Sequence, residues 1–192
     1  MRYTVIIIAL AALTACNKGP EVDERNASVE EVAQKVRESG GDALFQPGQW
    51  QTKVTVKDMT IPGMPEAMQG RMKQMLAQRQ NVVAETCLTP DEAKKPGGKF
   101  FTGKESKDCR YDHFTMSGGK VDAVMRCKGS GGSSGAMVMT LNGTYTPTES
   151  TTNVDMQISG PDGTMKMTAV TENKRIGDCK GEETKVAAGG GQ

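Results

Sequence analysis

Apolar and polar residues alternate along most of the chain beyond residue 48. Trp50, Thr52, Val54 and Val56 interleave with Gln51, Lys53, Thr55 and Lys57, the period of two that a half-buried strand requires. The same alternation returns in Met137, Met139, Leu141, Gly143 and Tyr145, in Val154, Met156 and Ile158, and in Met165, Met167 and Ala169. Arg110–Met116 and Val121–Cys127 flank the tight turn Ser117-Gly118-Gly119 and predict a hairpin; residues 81–87 predict a shorter strand. Strands at even spacing with glycine-rich joints predict a mainly β fold. The expected form is one curved antiparallel sheet of about six to eight strands, a barrel or half-barrel meander, with one or two short helices packed on it. A two-sheet sandwich is the alternative.

Helical spacing interrupts the alternation at three places. Ser28-Val29-Glu30-Glu31 is a capping box, followed by a narrow stripe of Val29, Val32, Ala33 and Val36 and ended by Ser39-Gly40-Gly41. The stripe is too thin for a coiled coil, so residues 16–46 read as a polar stalk carrying a short helix. Met68, Met72, Met75, Leu76 and Arg79 predict a second helix, expected to close the sheet with a methionine face. Thr89-Pro90-Asp91-Glu92 starts a third, short one, with a hydroxyl cap, proline at the first position and acids in the first turn. The folded domain is expected over residues 47–181, followed by a charged, glycine-rich, disordered tail over 182–192.

The N-terminus has a different character. Arg2 precedes the apolar run Val5–Ala12, which is shorter than the roughly 20 residues that a membrane-spanning helix needs. Leu13-Thr14-Ala15-Cys16 follows, and it resembles the lipobox of bacterial lipoprotein precursors. The resemblance implies removal of residues 1–15 as a signal peptide, lipidation of Cys16, and attachment to a membrane through its acyl chains. Since each buried methylene contributes about 0.8 kcal/mol, two or three chains hold a protein in a bilayer permanently. Asn17 and Lys18 follow the cysteine, and by resemblance to Gram-negative lipoproteins the absence of aspartate there implies the periplasmic face of the outer membrane.

Charge narrows the partners. The chain has 24 Lys+Arg and 23 Asp+Glu; loss of Arg2 with the signal leaves 23 of each. A neutral exported chain gives no electrostatic reason to bind nucleic acid. Of the 5 cysteines, lipidation of Cys16 leaves Cys87, Cys109, Cys127 and Cys179, an even set that reads as disulfides with three possible pairings. Cys109 and Cys127 flank the Ser117-Gly118-Gly119 turn and are expected to face each other on paired strands. Cys87 would then join Cys179, closing a long loop at a gain on the order of 4 kcal/mol.

Catalytic chemistry finds little support. Gly131-Gly132-Ser133-Ser134-Gly135 matches a nucleophile elbow by letter, but an elbow needs a strand before it and a helix after it, and this composition is that of a flexible loop. His113 is the single histidine, beside Asp112, and a strand position facing solvent explains it better than a zinc site. Lys94, Lys95, Lys99, Lys104 and Lys107 form a basic run that could touch lipid head groups, though Glu105 and Asp108 dilute it. No cofactor or metal motif is present.

Methionine is the compositional anomaly: 13 residues against an aromatic content of 4%. Three readings compete for Met137, Met139, Met165 and Met167. They fill the core, they line a plastic cavity for an apolar ligand, or they offer thioethers to Cu(I). Alternating strand positions favour core filling, then the cavity, then copper.

Pro47-Gly48-x-Trp50, Pro62-Gly63-Met64-Pro65, Cys87-Leu88-Thr89-Pro90, Phe100-Phe101, Gly118-Gly119 and Arg175-Ile176-Gly177-Asp178-Cys179 resemble domain-of-unknown-function family thirty-six seventeen over about residues 45 to 181. These motifs are turns and cysteines, and the resemblance implies no activity. The expectation is a monomeric, non-catalytic lipoprotein that binds a small apolar ligand or lipid. A structural or adaptor role among envelope proteins is the alternative, and methionine-based Cu(I) binding a weaker one.

Overall fold

The computed structural model describes residues 19–40, 44–78, 82–94, 107–129 and 135–180. Its elements in chain order are β1 (Val22–Ser28), α1 (Val29–Glu38), β2 (Gly48–Thr60), α2 (Glu66–Gln78), β3 (Val82–Leu88), α3 (Pro90–Lys94), β4 (Cys109–Ser117), β5 (Lys120–Cys127), β6 (Met137–Tyr145), β7 (Glu149–Gly160) and β8 (Gly163–Gly177). The strands form one antiparallel sheet in the order β1-β4-β5-β6-β7-β8-β2-β3. The curved sheet with short helices is therefore the fold, in its open form. β1 and β3 are its edges, so neither a closed barrel nor a second sheet is built from the described residues.

The β4–β5 hairpin shows how local sequence sets the packing. Gly118 and Gly119 take φ values of 56° and 75°, which a tight hairpin turn demands and which glycine adopts without steric cost. Ser117 pairs with Lys120, and on that register Cys109 would lie opposite Lys128. A bulge at Asp112 takes one residue out of step and sets Cys109 opposite Cys127. The same bulge turns Cys109, Tyr111, Phe114 and Met116 to one face, where all four are buried. Tyr111 and Phe114 meet edge to face with ring centroids 5.3 Å apart.

The segment expected as a stalk is part of the folded body. Val22–Ser28 pairs with β4 as an edge strand, and Ala27 lies opposite Tyr111. Its polar composition fits an edge: one face is solvated, and Asn26 interrupts the alternation at φ 49°. α1 begins at the expected capping box. The Ser28 N–H donates to the Glu31 carboxylate at 2.6 Å, and the Glu31 N–H donates to the Ser28 hydroxyl at 3.2 Å. These bonds hold the Glu31 carboxyl below its ordinary pKa. Val29, Val32 and Val36 are completely buried against Tyr111, Phe114, Ala123 and Met125. Full burial of a valine side chain contributes about 1.5–3 kcal/mol, so the thin stripe is a core face.

The second helix does not close the sheet as expected. Met68 and Met75 are 55% and 48% exposed. Lys73 ties α2 to β2 through Asp58 at 2.7 Å, and Asp58 lies on the opposite sheet face from its neighbour Met59. Gly70, Lys73 and Gln74 lie on the other side of the helix from Met68 and Met75, so docking through Lys73 leaves those two methionines to solvent.

Candidate functional site

The register of the sheet assembles something that the strands taken singly do not show. Met125 on β5 pairs with Met139 on β6. Met139 pairs with Met156 on β7, Met156 with Met167 on β8, and Met167 with Met59 on β2. Directly opposed residues on antiparallel strands share a face, so five methionines form one row across five adjacent strands. Two residues along, Cys127, Met137, Ile158 and Met165 make a parallel row on that face. On the other side, Ala123, Leu141, Val154, Ala169 and Val56 make a third.

Coverage of this face is uneven. At the β4–β5 end it lies under α1, where Met116 and Met125 are buried. Met137 and Met139 pack at the margin of that core and are half-buried. Met156, Met165, Met167 and Met59 are also half-buried and lie outside the core cluster. Core filling thus describes the row only at its β5 end.

The face also changes polarity along the strands. Six residues from Met167 along β8, Asn173 lies between Thr52 and Ser150. Thr52 and Asn173 are hydrogen-bonded at 2.7 Å, and the Asn173 amide donates to the Ser150 hydroxyl at 3.0 Å. At about 3.3 Å per residue, the methionine row and this polar row are about 20 Å apart. The opposite face of the same strands is charged, with Lys53 near Glu172 at 3.9 Å and Lys174 near Glu149 at 3.5 Å.

Both disulfides are present, Cys109–Cys127 and Cys87–Cys179. The second joins the end of edge strand β3 to the segment after β8, across β2, and so fixes one side of the sheet. Neither cysteine pair is available as a thiolate ligand.

The remaining candidates do not converge. His113 Nε2 lies 2.7 Å from Asp122 Oδ1 rather than beside Asp112, which pairs with Arg126 at 2.5 Å. Both are cross-strand polar contacts on the solvated face. Among the described residues no three His, Cys, Asp or Glu side chains gather as metal ligands. Cys16, residues 131–134 of the glycine-serine run, and Lys95, Lys99 and Lys104 lie outside the described residues. A cavity of about 270 Å³ lies beside β1 and α1, but its walls are Glu21, Val22, Asp23, Glu24, Lys35, Glu38 and Ser39, with no methionine. The expected apolar pocket is therefore not this cavity; the apolar surface is the half-buried methionine face of β6, β7, β8 and β2.

One buried polar atom stands out. Tyr111, 1% exposed, has no hydrogen-bond partner for its hydroxyl among the described residues, and burial pushes its pKa up to about 12. It lies opposite Met125 and so continues the methionine row beneath α1.

A family model described as a protein of unknown function, DUF3617, matches residues 45–179. The chain belongs to this family. The DUF3617 match takes in β2 to β8, both disulfides and the whole methionine row, whereas β1 and α1 precede it. No curated protein and no solved structure matches the chain.

The sequence pointed to Met137, Met139, Met165 and Met167 but left Met125, Met156 and Met59 out of the candidate set and missed the joint row. Met59 follows Lys57 and Asp58, where a bulge between Val56 and Asp58 breaks the alternation of β2. Its place in the row depends on pairing with a strand more than a hundred residues later. Only the register supplies that information.

Proposed function

We propose that this DUF3617 protein is a non-catalytic, lipid-anchored protein of the outer membrane whose open sheet face binds an apolar chain with a polar end. One observation carries the reading: a single face runs from a methionine row to a hydrogen-bonded Thr52–Asn173–Ser150 row about 20 Å away. An acyl-type ligand needs that combination of apolar length and one polar end. Methionine suits such a face because its unbranched, polarizable side chain reshapes itself around varied apolar partners. Anchorage through Cys16 would keep the face within reach of membrane lipid. The polar, cross-paired opposite face supports water contact on the outside of the sheet.

Native mass spectrometry of the exported Cys16→Ser protein, which has no acyl anchor, tests the reading. The expected spectrum contains the protein plus a co-purified mass that organic solvent extracts. Met156→Lys, placing a charge in the middle of the row, should abolish that adduct without loss of the disulfides. A bare protein mass before and after incubation with a medium-chain fatty acid would refute it.

A further inference from the structure

The methionine row also brings together a donor set that the linear sequence keeps apart. We propose that Met139, Met156 and Met167, with Met59 beside them, form a thioether site for a soft monovalent cation, Cu(I). The inference does not rest on the apolar-ligand reading, because it needs the sulfur lone pairs rather than the apolar surface.

Three observations carry it. First, Met139, Met156 and Met167 stand directly opposite one another on three successive strands, and Met59 extends the set to a fourth. Neighbouring strands lie about 4.8 Å apart, and three rotatable bonds let each outer sulfur swing toward the central one. Second, all four side chains are half-buried, so an ion can enter from solvent while apolar neighbours shield it. Met125, at the end of the row, is 1% exposed under α1 and is left out of the site. Third, the competing donors lie elsewhere. The described residues hold no cluster of carboxylate, imidazole or thiolate donors, and the four paired cysteines are oxidised. Val154 and Ala169 on one side and Ile158 on the other flank the row along β7 and β8. A pure thioether set in apolar surroundings discriminates by softness: it takes Cu(I) and leaves Zn(II), Ni(II) and Mg(II) in water.

The regular spacing matters more than the number of methionines. Scattered methionines on separate strands would each offer one weak ligand. Three in register stand side by side on one face, with the outer two each one strand from Met156 and within side-chain reach of it. The sheet supplies the preorganisation that a flexible segment would have to reach by ordering itself, at an entropic cost.

The test is competition for Cu(I) against a chromogenic chelator, with ascorbate as reductant, on the Cys16→Ser protein with intact disulfides. Ag(I), which needs no reductant, serves as a second probe. Wild type should withdraw one equivalent of Cu(I) and show no Zn(II) or Ni(II) binding. The triple variant Met139→Leu, Met156→Leu, Met167→Leu keeps the side-chain volume but removes the sulfur; it should bind Cu(I) at least a hundredfold more weakly while its metal-free melting temperature stays close to wild type. Should the triple variant fail to fold, Met156→Leu alone decides, with at least a tenfold loss expected. Met68→Leu/Met75→Leu on α2 should leave the affinity unchanged. Cu(I) affinity equal in wild type and Met156→Leu, or no withdrawal of Cu(I) by wild type, would overturn the proposal. A fatty-acid complex that survives in the leucine variant while Cu(I) binding is lost separates this site from the apolar-ligand reading.

Discussion

Val36→Ala is the substitution whose sign depends on whether α1 is core or stalk. Val36 is completely buried in the cluster that α1 forms with β4 and β5. The substitution removes two methyl groups, costing about 1.6 kcal/mol in lost transfer free energy. The remaining void adds about 24 cal/mol for each Å³ that does not collapse, bringing the expected loss to about 2–3 kcal/mol. Alanine is the better helix former by about 0.5 kcal/mol, which offsets only part of that. The net expectation is a loss of about 2 kcal/mol. In a solvated stalk only the helix propensity would act, and the substitution would stabilise slightly. Urea unfolding of the Cys16→Ser protein, followed by the fluorescence of the single, buried Trp50, measures the difference. An unchanged or higher midpoint for Val36→Ala would refute the placement of α1 in the core. If it holds, the stable unit of this protein begins before the DUF3617 match, at β1.

Two other outcomes follow from burial. Tyr111→Phe should leave stability at neutral pH equal or higher, because it removes a buried hydroxyl that has no partner among the described residues. Wild type should lose stability as pH rises from 10 towards 12, where the unfolded tyrosine has released its proton and the native one, with a pKa of about 12, holds it; a pH series of urea midpoints should show the loss in wild type and a smaller one in Tyr111→Phe. Along the methionine row, Met125→Ala should cost about 2–5 kcal/mol as a buried truncation, whereas the half-buried Met167→Ala should cost about 1 kcal/mol. Equal costs at the two positions would mean that the row is uniformly buried.

Period-two alternation made β2 and β4 to β8 legible, because each has one solvated and one apolar face. The Cys109–Cys127 pairing was legible from the turn between them, although the turn alone sets Cys109 against Lys128 and the bulge at Asp112 completes the match. β1 was not legible. Val-Asp-Glu-Arg-Asn-Ala-Ser carries two apolar residues, and its strand character comes from pairing with β4. α1 was legible as a helix but not as core, since a stripe of valines says how wide a contact is and not whether a partner surface waits for it. Of the candidate site, the individual methionines were visible and their alignment was not. Alignment is a property of register, which depends on the bulge at Lys57 and on pairings between distant segments.

The methyl groups of the methionines report most directly on whether the open face binds an apolar chain. Carbon-13 methyl labelling of methionine in the Cys16→Ser protein gives one resonance per residue, to be followed while a medium-chain fatty acid is added. The account predicts saturable shifts at Met59, Met156, Met165 and Met167, with Met116 and Met125 beneath α1 unmoved. Unmoved resonances at the open face, or shifts confined to Met68 and Met75 on α2, would contradict it.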